Sequence, residues 1–275
     1  MNDPKKKEIF ISKVAIETGD STIPASLLRD LRRADLFIQL AVLAGSAALG
    51  PDQERDPSQT GVFLGTTTGP LDTNFRFLDS LFDNGEGQAS PTLFSHSVHN
   101  AAAGYVSRLL NLWGPVQTVT TPGWPFLVAL AEAKTALELM PFTRALVLAV
   151  EEETQVLVEA LNRRQGGKEA TAPPPNPLRG AVAWLLTTEA DSGHRSPKLC
   201  DILVEENHGA ADFYLQRQDE VLPPGAAAGD REAPASLFPA LSLSRALQDG
   251  PRQGERSLSW RVTAPCGRAR VQIEL

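Results

Sequence analysis

Residues 90–121 read SPTLFSHSVHNAAAGYVSRLLNLWGPVQTVTT, and the next four are Pro122, Gly123, Trp124 and Pro125. This stretch decides the fold. SPTLFSHSVHN reads as a loop entering a helix, and Ala101–Leu110 continues that helix with small residues. Gly114-Pro115 breaks it. The β-branched run Val116–Thr121 then reads as a strand. Pro122–Pro125 forms a sharp turn, and Phe126–Leu139 is an Ala/Leu helix. Arg144–Glu151 (RALVLAVE) follows as a buried strand. A helix, a strand, a helix and a strand therefore succeed one another within about sixty residues.

The pattern extends outward. On the N-terminal side, Glu8–Glu17 is a strand rich in Ile and Val. Arg29–Leu49 is helical, with Leu36, Leu40 and Leu43 at helical spacing, and Gly50-Pro51 stops it. Thr60–Gly65 is a short buried strand, Thr66–Gly69 a polar turn and Leu71–Phe82 a further helix. Continuous apolar strands between helices predict a largely parallel sheet covered on both faces. On the C-terminal side, 163–180 and 217–235 read as loops. Ala181–Thr187 and Lys198–Glu205 are strands, Leu237–Leu247 is a helix, and Leu258–Val262 with Ala269–Leu275 are expected to close the fold as a hairpin.

Composition narrows the function. The 275 residues carry a net charge of −7 and 42% hydrophobic residues. An acidic surface argues against nucleic-acid binding, which needs a basic footprint. Lys5, Lys6 and Lys7 form too short a cluster to change this. No apolar run reaches the roughly 20 residues of a membrane span, and no signal peptide is visible, so a cytoplasmic protein is expected. Cys200 and Cys266 lie far apart without CxxC spacing, as expected for free thiols in a reducing compartment.

The order of elements, together with Phe94–Gly104 (FSHSVHNAAAG), resembles the N-terminal half of the β-ketoacyl synthases. The resemblance is strongest over residues 60–153. It implies an α/β fold: a thiolase-like half with a central mixed β-sheet flanked by helices, the second half being reduced or missing. Residues 1–190 would form the synthase-like domain, and residues 191–275 a shortened C-terminal extension completing the sheet.

In that family a nucleophilic cysteine follows the strand at a strand-to-helix turn. The alignment puts Gly123 in its place, so no catalytic residue is assigned. A thiolate attacks an acyl thioester and holds the chain; glycine does neither. Pro125 lacks the amide hydrogen that a helix-start oxyanion site would use. The family's two C-terminal histidines are unmatched, since His194 and His208 stand in no comparable context.

The resemblance then implies a non-catalytic homologue that acts like a chain-length factor. Its partner would be an active ketosynthase (a heterodimer) or a second copy of itself (a homodimer), in type II fatty-acid, polyketide or polyene biosynthesis. Acyl carrier protein would be met indirectly. Val116, Gln117, Thr118, Val119, Thr120 and Thr121, with His99 and Asn100, would lie at the dimer interface. Trp124, Pro125 and Phe126 would lie near the substrate tunnel. No cofactor is implied. The alternatives are a freestanding acyl-binding or scaffold protein, or an enzyme using another nucleophile such as Cys266, whose neighbours Arg268 and Arg270 would lower a thiol pKa.

Other local patterns have simpler readings. His96 and His99 share a face if helical, but no third ligand is visible and no metal is expected; capping or bonding loop backbone is the expected role of His99 and Asn100. Ser95, Ser97 and His99 lack any GxSxG elbow. Thr66–Gly69 lacks the lysine of a phosphate loop. The run Glu151, Glu152 and Glu153 reads as solvated charge after a strand, at a family position that carries Glu without a catalytic task. Trp113, Trp184 and Trp260 read as packing residues.

Overall fold

The computed structural model describes residues 7–50, 56–164, 179–190, 196–206, 237–250, 256–264 and 267–275. The first elements are β1 (Phe10–Glu17), α1 (Ala25–Leu31), α2 (Leu36–Leu49), β2 (Thr60–Thr66), α3 (Leu71–Asn84), α4 (Pro91–Ser97) and α5 (Ala101–Leu109). They are followed by β3 (Val116–Thr120), α6 (Pro125–Leu139), β4 (Arg144–Glu151), α7 (Gln155–Arg164) and β5 (Gly180–Thr187). The chain closes with β6 (Lys198–Glu206), α8 (Phe238–Asp249), β7 (Ser257–Ala264) and β8 (Gly267–Glu274).

One eight-stranded mixed sheet runs in the order β3-β2-β4-β5-β1-β6-β8-β7. Only β3, β2 and β4 are parallel to one another; every later pairing is antiparallel. The expectation of a largely parallel sheet therefore needs correcting. Gly180 at the start of β5 pairs with Glu151 at the end of β4, so the chain returns to the end it left and must run antiparallel. All eight residues of both strands are buried. Their unbroken hydrophobicity records a central position covered on two faces, not a direction.

Alternation along these strands builds a three-layer core. Val62, Leu64, Leu146, Leu148, Ala183 and Leu185 face α2 and α5. Phe63, Val147, Val182, Trp184 and Leu186 face α6 and α8. Strands β6, β8 and β7 continue the same sheet beyond β1, and α8 packs across β1 and β5. Residues after 190 thus share the sheet and core of those before.

Three boundaries differ from the sequence reading. The helix expected over 29–49 is two helices, because Asp35 takes an extended conformation and its carboxylate accepts the Ile38 N–H at 2.9 Å, starting α2 afresh. The loop expected at 90–100 contains α4, capped by the Ser90 hydroxyl with Pro91 at the first helical position. The helix α7 went unread. The hairpin expected near the C-terminus is present as β7 and β8.

Candidate site at the strand-to-helix elbow

The three parallel strands end side by side, at Thr66, Thr120 and Glu151. Crevices beyond the carboxyl ends of such strands are where α/β proteins bind ligands. Here the chain leaving β3 turns sharply through Thr121–Trp124 into α6. Thr121 N–H donates to the Thr66 carbonyl at 3.4 Å, and Gly123 N–H donates to the Thr121 hydroxyl at 3.3 Å. Pro125 stands at the first position of α6 and offers no amide hydrogen.

Close packing fixes this turn. Gly65 lies against the Pro125 carbonyl and the Phe126 amide, so closely that a Cβ would collide with that backbone. Gly123, Trp124, Pro125 and Phe126 are all buried, while Pro122 is exposed. Phe126 meets Trp184 edge-on, centroids 5.2 Å apart. Trp184 in turn donates its indole N–H to Ser244 on α8 at 2.7 Å. Trp124 and Phe126 therefore belong to the packed core beneath the turn.

Next to the elbow stands a feature that sequence reasoning missed. Glu151 and Glu152 are each only 3% exposed, and Glu153 alone of the three is solvent-facing. The solvated-run reading is thus wrong for two of the three. Glu151 accepts from Thr67 N–H at 2.5 Å, Thr68 N–H at 3.3 Å, the Thr68 hydroxyl at 3.0 Å and the Thr66 hydroxyl at 3.3 Å. An internal carboxylate thereby fills the amide cradle that a phosphate would need, which removes the phosphate-loop reading. The clue was available: a threonine run and a glutamate run end two strands that the apolar pattern places in one sheet.

Glu152 accepts the Asp72 N–H at 2.9 Å at the start of α3, whose own N-cap residue, Pro70, supplies no side-chain bond. Burial pushes its carboxyl up to about 7, assisted by the nearby Asp35 and Asp72 carboxylates and opposed by amides of Asp72 and Phe37. Asp35 also accepts the Thr73 hydroxyl at 2.8 Å, so α2, α3 and β4 meet at one polar knot.

Of the residues expected at an interface, Val116–Thr120 form β3, the outer strand of the sheet, Thr121 follows it, and His99 and Asn100 lie between α4 and α5. Among them Val116, Gln117 and Thr120 are exposed, Thr118 and Val119 are half-buried, and Thr121 is turned inward and buried. Trp113, expected to pack, is instead 75% exposed beside this edge, whereas Trp184 and Trp260 are buried. Asn100 occupies the N-cap position of α5 but makes no side-chain cap bond, correcting the capping role expected of it. The His99 ring rests against Gly69, whose φ of +60° and lack of Cβ admit it.

The histidines do not form a pair on one helix: His96 is buried in α4 with its Nε2 2.9 Å from the Tyr105 hydroxyl, and His99 follows α4. Among the described residues no cluster of His, Cys, Asp and Glu could hold a metal ion. Ser95 and Ser97 bond back to the carbonyls of Thr92 and Phe94. Cys200 is exposed on β6, five strands from β3 and so about 24 Å from the elbow at roughly 4.8 Å per strand. Cys266, His194, His208, Lys5, Lys6 and most of the two expected loops lie outside the described residues. No helix among the described residues is long and apolar enough to cross a membrane.

Comparison with known proteins gives three results. A family model described as the β-ketoacyl synthase N-terminal domain matches residues 20–221. The 3-oxoacyl-[acyl-carrier-protein] synthase 2 of Vibrio harveyi is 31% identical over 97 residues, which cover 34% of this chain and 23% of that protein. The match therefore spans about a quarter of the curated relative's length. Among solved structures, the ishigamide ketosynthase/chain length factor superposes with a TM-score of 0.69 at 16% identity, covering 98% of this chain and 99% of that one. A type II polyketide ketosynthase bound to its acyl-carrier protein and a hexaketide gives 0.68 at 12% identity, over the same shares. At these identities the superpositions establish the thiolase-like fold.

Proposed function

The chain belongs to the β-ketoacyl synthase N-terminal-domain family, and we propose that within it the protein is a non-catalytic subunit that pairs with an active ketosynthase, as a chain length factor does. The observation that carries this reading is the elbow itself. Where β3 turns into α6 the chain presents Gly123, between Pro122 and Trp124, and the turn carries no thiol. A condensing enzyme must hold its acyl chain as a thioester, and a glycine gives the chain nothing to attach to.

The open edge of β3 supports the partner half of the reading. An edge strand leaves a row of amide and carbonyl groups unpaired, and adding a strand from another subunit satisfies them. Two solved structures of similar fold are named as a ketosynthase with its chain length factor and as a ketosynthase with its carrier protein. By that analogy the partner condenses acyl groups delivered on acyl carrier protein. This chain would bound the tunnel near Trp124, Pro125 and Phe126, whose close packing beneath the elbow would make that wall rigid. A cytoplasmic location goes with that role.

Purification from the native host tests the pairing: co-elution with a cysteine-bearing synthase is expected, and a stable lone monomer points instead to a freestanding acyl-binding or scaffold protein. The pure chain incubated with acyl thioesters should show no covalent adduct by mass spectrometry. An adduct that disappears in Cys266→Ala would overturn the non-catalytic reading.

A further inference from the structure

Helix α3 is attached to the rest of the protein in an unusual way. Its sequence is amphipathic, yet Thr73 is its one buried residue, and Phe75, Leu78 and Phe82 remain 38%, 43% and 84% exposed. Three ties hold it. Phe77 packs on Phe94 of α4, the Thr73 hydroxyl bonds Asp35, and the Asp72 amide donates to the buried carboxyl of Glu152. An element with so little buried apolar surface sits at the low end of local stability and depends on its polar ties.

We propose that Glu152 is a proton-operated latch: with its carboxyl protonated it holds the start of α3 against the end of β4, and with its carboxyl ionised it lets α3 lift away. The inference stands apart from the pairing proposed above and concerns the fold alone.

The charges around Glu152 decide the sign. From the start of α2 it faces the Asp35 carboxylate, and from the start of α3 the Asp72 carboxylate. Its strand neighbour Glu151 is committed to Thr66, Thr67 and Thr68, and Glu153 points to solvent. Arg76, one turn along α3, pairs at 3.9 Å with Asp72 at the surface. Among the described residues no cation pairs with Glu152. Ionisation therefore sets a third negative charge beside two others at a position 3% exposed. The amides of Asp72 and Phe37 favour that charge, but burial outweighs them. A protonated carboxyl keeps a carbonyl oxygen for the Asp72 amide and carries no charge to solvate. Lifting α3 is the movement that admits water to the ionised form.

Hydrogen exchange of the full chain at about pH 5.5 and about pH 8.5, corrected for intrinsic exchange rates, tests the latch. In the unaltered protein, amides of 74–84 should exchange roughly tenfold or more faster at the higher pH, because the opening equilibrium grows about tenfold for each pH unit between the carboxyl's ordinary value of 4.5, regained on opening, and its closed-state value of about 7, and levels off above. Glu152→Gln should abolish that difference, while Glu153→Gln, at the exposed neighbour, should retain it. Equal protection at both pH values in the unaltered protein, or a response that survives Glu152→Gln, would overturn the proposal. Should Glu152→Gln fail to fold by circular dichroism, Asp72→Asn provides the second reading. Removing one facing carboxylate makes ionised Glu152 less costly while α3 is closed, so the exchange difference between the two pH values should shrink; an undiminished difference counts against the latch.

Discussion

Gly65 of β2 and Pro125 of α6 approach so closely through their backbones that a Cβ on Gly65 would fall on the Pro125 carbonyl. The start of α6 is therefore seated on the strand that runs beside β3. That approach sets where the elbow's helix begins, because the contact is between backbone atoms that cannot swing aside.

Gly65→Ala should accordingly push α6 outward. The obstacle is backbone rather than a flexible side-chain end, so relief requires moving the helix, and the cost falls near the upper end for overpacking, about 3 kcal/mol. Urea unfolding of the isolated chain measures it. A loss below about 0.5 kcal/mol, the size of an ordinary surface change, would mean the helix start is not seated on β2 as described.

Glu151 supplies the second anchor of the same end of the sheet. Glu151→Ala leaves two backbone amides and two threonine hydroxyls without their acceptor at a buried to half-buried site, which should cost on the order of 3 kcal/mol. Glu151→Gln keeps the shape and one accepting oxygen, so it should cost roughly half as much. Equal stability of both variants and the parent protein in denaturant titration would refute the anchoring role.

How far these anchors were legible in the sequence differs from element to element. The strands β2, β3 and β4 and the helix α6 announced themselves through apolar runs bounded by Gly and Pro. The direction of β5 did not, because burial on two faces produces the same run whichever way a strand points. Gly123 could be located from the family resemblance, since the strand and helix around it keep their order. Glu151 and Glu152 were misread for a physical reason: three adjacent carboxylates are ordinarily solvated, and only the convergence of β2, α2 and α3 on that point provides the amides that hold two of them. Such convergence is a long-range property, hinted at in the sequence only by the threonine and glutamate runs that end β2 and β4.

The sheet edge offers a test of the pairing in which fold and association separate. The Pro115 carbonyl accepts from Val62 and the Thr121 amide donates to Thr66, so both residues turn their backbone groups toward β2. Alternation along the strand then turns Gln117 and Val119 the same way, and Val116, Thr118 and Thr120 outward. Thr118→Pro removes an outward amide and should leave the monomer nearly as stable while weakening association with a partner at least tenfold. Val119→Pro breaks the ladder to β2 and should destabilise the chain itself by about 3 kcal/mol. Analytical ultracentrifugation and thermal melts read the two effects. Association unaffected by Thr118→Pro would place the partner elsewhere.

The raised carboxyl of Glu152 also makes the stability of the whole domain depend on pH. The folded protein holds this proton up to about pH 7, whereas the unfolded chain releases it near the ordinary value of 4.5. Between those values the folded state binds more protons than the unfolded one, so stability falls as pH rises through that window and is lowest above it. At about 1.36 kcal/mol for each pH unit across the window, the loss is on the order of 3 kcal/mol, reduced if local opening of α3 lets the charge reach water. Glu152→Gln carries no proton to lose, and its urea midpoint should exceed that of the parent above pH 7 while the two converge near pH 4.5. A parent protein whose stability climbs from about pH 5 to about pH 7 while that of Glu152→Gln climbs in parallel would show that Glu152 ionises in that site at no cost. The knot of Asp35, Asp72 and Glu152 would then have to be more open to water than its burial implies.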